Sequence, residues 1–124
     1  MERENELSRV ILNAAFKVHT ELGPGLLESV YEKCLFLELC ELGLSVERQK
    51  EIPIMYKQSK IDNGFRADLI VEDKVIIELK SVDSIAEVHV AQVLTYLKFT
   101  KIKLGLLLNF NVAHLKQGIK RVVL

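Results

Sequence analysis

"FRADLIVEDKVIIELKS", residues 65–81, sets two strand-like apolar runs on either side of the charged triplet Glu72, Asp73 and Lys74. Each run holds charge where a buried strand would hold valine. Side chains alternate across a strand, so Phe65, Ala67, Leu69 and Val71 share one face and Arg66, Asp68 and Ile70 share the other. In the second run Val75, Ile77 and Leu79 fall on one face and Ile76, Glu78 and Lys80 on the other. Joining the runs through a three-residue turn at 72–74 sets 71 against 75, 69 against 77 and 67 against 79, a wholly apolar face. The same register opposes Ile70 to Ile76, Asp68 to Glu78, and Arg66 to Lys80. A slip of one residue would turn every apolar side chain to the wrong side.

Directly opposed residues have Cβ atoms roughly 4.5–5.5 Å apart. Two carboxylates so placed repel unless a cation sits between them, and one otherwise takes up a proton. Two readings follow. In one, Arg66 and Lys80 neutralise the acids as an ion-pair lattice on a half-exposed sheet. In the other, Asp68 and Glu78 bind a divalent metal, since Mg²⁺ takes one or two carboxylates and keeps several waters, and the Lys80 ammonium faces that water and an attacked phosphate. The pattern by itself leaves both open.

Upstream, Leu7, Val10, Ile11, Ala14, Val18 and Leu22 recur at helical spacing, and Gly23 is a natural stop. After "GPG" at 23–25 the period resumes through Leu27, Val30, Tyr31, Cys34, Leu35 and Leu42, and Gly43 ends a second helix. Residues 44–61 alternate loosely as strand, with Pro53 pointing to a sheet edge, and "DNG" at 62–64 reads as a hairpin turn. Downstream, "SIAE" at 84–87 has the form of a capping box. It opens a third helix to about residue 99, with Ile85, Val88, Ala91, Leu94 and Tyr96 among its inward candidates. "KLGLLLNF" at 103–110 reads as a strand covered on both faces, and "GIKRVVL" as a last edge strand. The expected order is α-α-β-β-β-α-β-β.

With 124 residues the chain suits one domain with one core. Lys plus Arg and Asp plus Glu are equal at 17 each, which argues against indiscriminate nucleic-acid binding through counterion release. The charged start "MERENELSRV" and the lack of an apolar run near the ~20 residues of a membrane span give the expectation of a cytoplasmic protein with no membrane partner. Cys34 and Cys40, six apart in a helix, cannot pair and are too few for a thiolate metal site, so both are expected as buried thiols. His19 and His114 lack metal-ligand spacing and read as structural. Glu28 opens the second helix, where any acid gains from the helix dipole. Tyr31, on the same side, reads as a packing residue with a buried hydroxyl partner. His89, Gln92 and Tyr96 form one polar stripe on the third helix, facing either solvent or the acid-bearing side of the sheet.

Asp68 followed by Glu78-Leu79-Lys80 resembles the PD-(D/E)xK signature of the restriction-endonuclease-like nuclease superfamily, with Ala67 in place of its proline. "GLLESVY" at 25–31 resembles the signature of the GxxExxY family, a branch of that superfamily, and "RADL", "IELKS", "HVAQVLTYLK" and "KLGLLLNF" are similar to that family's pattern. The resemblance spans nearly the whole chain. It implies an α/β restriction-endonuclease-like core over 1–124, a mixed central sheet flanked by helices. It also implies metal-dependent hydrolysis of nucleic-acid phosphodiester bonds, DNA being the expected partner. Asp68 and Glu78 would hold Mg²⁺ or Mn²⁺, Glu28 would complete that site directly or through water, and Lys80 would be the catalytic lysine. Gln92 and Tyr96 match the Gln-x-x-x-Tyr element of the RecB-like branch, and Arg66 and His89 are the expected substrate contacts. Neutral net charge and the absence of a recognition appendage keep a second class in view, a non-catalytic nucleic-acid- or protein-binding module, homodimeric in one form.

Overall fold

The computed structural model describes the backbone of residues 1–124 and every side chain except that of Asn63. Helix α1, Glu2–Leu22, buries Leu7, Ile11, Ala14, Ala15 and Val18, and carries Ser8 and His19 into the same interior. Gly23 stops it at φ 69°, its N–H bonding His19 O, a backbone angle that glycine adopts without penalty. Helix α2, Glu28–Glu41, buries Tyr31, Glu32, Leu35 and Leu39. The expected inward residues Leu27, Val30 and Leu42 are instead exposed, because the Tyr31, Leu35 and Leu39 spacing fixes which side of the helix faces the core. Val10 and Leu22 fall outside the buried stripe of α1 in the same way.

The strands are β1, Val46–Tyr56; β2, Ser59–Val71; β3, Val75–Lys80; β4, Leu104–Asn109; and β5, Ile119–Val123. Helix α3, Glu87–Thr100, joins β3 to β4, and a short 3₁₀ turn, Leu115–Gly118, leads into β5. The expected element order is therefore found, in one five-stranded sheet of order β1-β2-β3-β4-β5. Only β3 and β4 run parallel, the crossover helix supplying the connection that parallel neighbours require. β1, which holds Pro53, and β5 are the edges, and every residue of β4 is buried. Helices α1 and α2 cover one face, packing on Leu69, Val71, Val75, Ile77, Leu79, Leu106 and Leu108. Helix α3 covers the other through Val93, Tyr96 and Leu97, against Ile70, Ile76 and Leu107.

Five local expectations are corrected. The tight turn between β1 and β2 is at Lys57 and Gln58, both at positive φ, with Tyr56 paired to Ser59, and residues 62–64 lie inside β2. Gly64 answers to close packing rather than to a turn, since a Cβ there would meet the Ile54 side chain beside the register shift between Ile52 and Ile54. Helix α3 starts at Glu87 with Ala86 as its N-cap, and His89 Nδ1, not Glu87, accepts the Ala86 N–H at 3.0 Å. Val88 and Ala91 point to solvent while Val93, Tyr96 and Leu97 face the core. Cys40 is exposed and Cys34 half-buried. Alternation also fails at one place in β2, where Phe65 and Ala67 pack on the α3 side instead of joining Leu69 and Val71.

Tyr31 ties the Gly23–Leu26 loop to the core. Its hydroxyl donates to Gly23 O at 2.6 Å and accepts the Leu26 N–H at 3.1 Å, and its ring stacks on Phe110 at 4.5 Å. Tyr31→Phe keeps the ring but strands both backbone groups, so urea unfolding is expected to show a loss of about 1–2 kcal/mol. An unchanged midpoint would show that the hydroxyl does not hold the loop.

Candidate active site

β2 and β3 pair in the expected register, Val71 with Val75, Ile70 with Ile76 and Leu69 with Ile77, and there the ladder stops. Beyond it the contact passes to the two acids. Glu78 Oε2 accepts the Asp68 N–H at 2.7 Å, and Asp68 Oδ2 accepts the Leu79 N–H at 2.9 Å. Each carboxylate reaches across the opening split and occupies a backbone donor of the other strand. This satisfies N–H groups that would otherwise be stranded, and it interlocks the acids on the same side of the opening.

The surface-lattice reading does not hold. Glu78 is 5% exposed, and among the described residues no ion pair includes Asp68, Glu78 or Lys80. Burial, and then the neighbouring Asp68, push the Glu78 carboxyl up to about 8. Burial likewise raises Asp68, against the opposing hydrogen bond from Leu79. The half-buried Lys80 lies within electrostatic reach of both acids and favours their charged forms. Its ammonium makes no hydrogen bond among the described residues, while its carbonyl accepts the Phe110 N–H at 2.9 Å and so fixes the end of β3.

Of the other expected site residues, Tyr96 is the one that reaches the acids. Tyr96, stacked on Phe65 at 4.0 Å, has its hydroxyl raised by burial and then by Glu78 and Asp68, which brings α3 to the acids. Gln92, one turn earlier, is exposed, and His89 caps the helix start through Nδ1. Arg66 lies opposite Glu51 on the exposed β1–β2 ladder, not opposite Lys80, because β2 and β3 have already parted. Glu28 accepts the N–H of Ser81, the residue after Lys80, at 3.1 Å. Together with Ser29, Ser81, Asn111 and the 25–27 loop it lines a cleft of about 600 Å³.

Sequence reasoning missed three participants. Glu32, 6% exposed, is held by Arg48 and by Gln49, whose amide also reaches Asp68. The one signal for Glu32 was an acid next to Tyr31 in the buried stripe of α2; Gln49 gave none. Buried Asn109, at the end of β4, clamps Val82 through both its amide oxygen and nitrogen, fixing the chain that leaves Lys80.

This split-strand carboxylate pair, set in an α/β restriction-endonuclease-like fold with a lysine two residues past the second acid, defines a class. The chain belongs to the PD-(D/E)XK nuclease superfamily, whose family model matches residues 5–122. No curated protein and no solved structure matches it. Members of this superfamily usually use divalent metals, and the donor set here fits one. The two hard oxygen donors lack a paired cation, and Glu78 Oε1 accepts no hydrogen bond among the described residues. Among the described residues no three acid, histidine or cysteine side chains form a ready-made cage, so any ion here would rely on water for its remaining ligands, as Mg²⁺ commonly does.

The folded protein holds on Glu78 a proton that the unfolded chain releases near 4.5. Folding is therefore favoured below about 4.5, and that advantage is lost as the pH rises towards 8. In metal-free buffer the Tm is expected to fall by about 4 °C or more between those limits, the shift that ~1 kcal/mol gives a domain of this size. Glu78→Gln flattens the fall. Parallel profiles for wild type and variant would assign the pH dependence elsewhere.

Proposed function

We propose that the protein is a divalent-metal-dependent nuclease that hydrolyses phosphodiester bonds in nucleic acid, DNA in the first place, with Asp68 and Glu78 holding Mg²⁺ or Mn²⁺. The observation that carries this reading is the interlocked acid pair, Glu78 buried and Asp68 half-buried, with no ion pair to either acid or to the neighbouring Lys80 among the described residues. A bound divalent ion supplies positive charge to the scissile phosphate and lowers the pKa of a water at neutral pH.

The chain's own groups do the rest. The two backbone N–H donors hold both carboxylates at the split, with Gln49 on the second Asp68 oxygen and Glu78 Oε1 accepting no hydrogen bond among the described residues. Lys80 orients the attacking water, assists its deprotonation and offsets the charge that develops on phosphate. Tyr96, held protonated by its surroundings, donates to a phosphate oxygen, and Gln92 extends that contact along α3. Glu28 borders the cleft beside Ser81 and completes the site through water. Arg66 and the free edge of His89 contact the flanking substrate backbone.

Purified protein is expected to cut DNA with Mg²⁺ or Mn²⁺ and to stop when EDTA is added. Asp68→Asn and Lys80→Ala are expected to lose ~100-fold or more in rate while keeping a cooperative thermal transition. Equal rates in wild type and both variants would assign the cutting to a contaminant. Salt-sensitive DNA retention without cutting, and without Mn²⁺ binding at millimolar concentration, would make the protein a binding module on a nuclease fold.

A further inference from the structure

Gln49 lies in the middle of β1, yet its backbone sits at φ 49°, a left-handed conformation that costs a non-glycine residue on the order of 1–2 kcal/mol. Its neighbours Arg48 and Lys50 pair normally with Leu69 and Ala67, whereas Gln49 and Asp68, which lie opposite each other, do not pair. Strain at an exposed position inside an edge strand calls for a compensating contact.

The side chain provides it. Gln49 Nε2 donates to Asp68 Oδ1 at 3.2 Å and also to Glu32 Oε1. Both partners are carboxylates and so only accept when ionised, and a primary amide nitrogen carries two hydrogens, which fixes the orientation of the amide without ambiguity. Glu32 is itself immobilised. It is buried in α2, and Arg48 donates to its other oxygen through Nε at 3.3 Å and a terminal nitrogen at 3.2 Å. The Arg48 guanidinium in turn lies over the Phe36 ring, 5.1 Å from its centroid. Glu32 therefore has both oxygens engaged and acts as an anchor rather than as a free ligand.

We infer that Gln49 is a positioning residue for Asp68, its amide fixing the Asp68 carboxylate to Glu32, which is buried in α2 and held there by Arg48 of β1. Asp68 Oδ2 is set by the Leu79 N–H and Oδ1 by Gln49, so the carboxylate plane is fixed from two strands at once. A neutral amide achieves this without bringing a competing cation to the acid pair. Removing such an outer partner of a metal-binding group typically costs 10–100-fold in metal affinity. This inference rests on the proposed metal role of Asp68 and Glu78.

The test uses the full chain and Mn²⁺ alone. Gln49→Gly deletes the bridge but relieves the positive φ, and Gln49→Leu deletes the bridge while keeping bulk. Calorimetry is expected to show Mn²⁺ affinity lowered by about 10-fold or more in both variants, with the Tm of Gln49→Gly equal to or above that of wild type. Wild-type affinity in both variants overturns the inference, as does a loss of affinity confined to a variant that has lost its cooperative thermal transition. Absence of Mn²⁺ binding by wild type overturns the metal reading instead, and the bridge is then decided by NMR of the Gln49 side-chain NH₂. Two slowly exchanging protons that shift in both Glu32→Gln and Asp68→Asn support the bridge, and a rapidly exchanging, unperturbed pair refutes it.

Discussion

Where β2 and β3 part, hydrogen bonds from backbone to backbone give way to hydrogen bonds from backbone to carboxylate. The N–H groups of Asp68 and Leu79 need acceptors once the ladder ends after Leu69 and Ile77, and Glu78 and Asp68 supply them. An apolar residue at either position would leave a donor without a partner in a largely buried place, a cost of about 1–3 kcal/mol. The acids that satisfy the backbone also crowd two carboxylates into a poorly solvated opening, which is why the Glu78 proton is held so tightly. One arrangement thus finishes the sheet and concentrates negative charge at its mouth.

The split also decides which parts of the molecule can meet there. A continuous sheet would keep α2 and α3 apart, because they cover opposite faces. At the opening, α3 brings Tyr96 towards the acids, and α2 acts through Glu32 and Gln49. Tyr31 and Asn109 hold the two chain segments that frame the adjoining cleft, the first before Glu28 and the second after Lys80. Formal charge is balanced over the chain, which argues against indiscriminate nucleic-acid binding through counterion release.

Apolar patterning together with glycine stops set out the helices, the strands and their order, because burial demands that apolar residues repeat every third or fourth residue in a helix, and every second residue in a strand covered on one face. It also set the β2–β3 register, since one apolar face on each strand permits only one pairing. Asp68, Glu78 and Lys80 stood out for the same reason, as charges in runs that had no need of them. Local signals fared worse where longer-range packing opposed them. The turn signal at 62–64 lost to the pairing of β2 with β1, and the capping box at 84–87 lost to an imidazole that reaches back from His89.

Tertiary structure decided what those charges touch. That the ladder stops after Leu69, that Glu32 is anchored by Arg48, and that Gln49 takes a left-handed angle to join Glu32 to Asp68 depend on groups up to 36 positions apart meeting at the strand opening. Residue spacing encodes which side of an element is buried, since that is a property of neighbours along the chain. It does not encode where a strand pair opens or which distant side chain meets the exposed donors, because the close packing of both helical layers against one twisted sheet settles that.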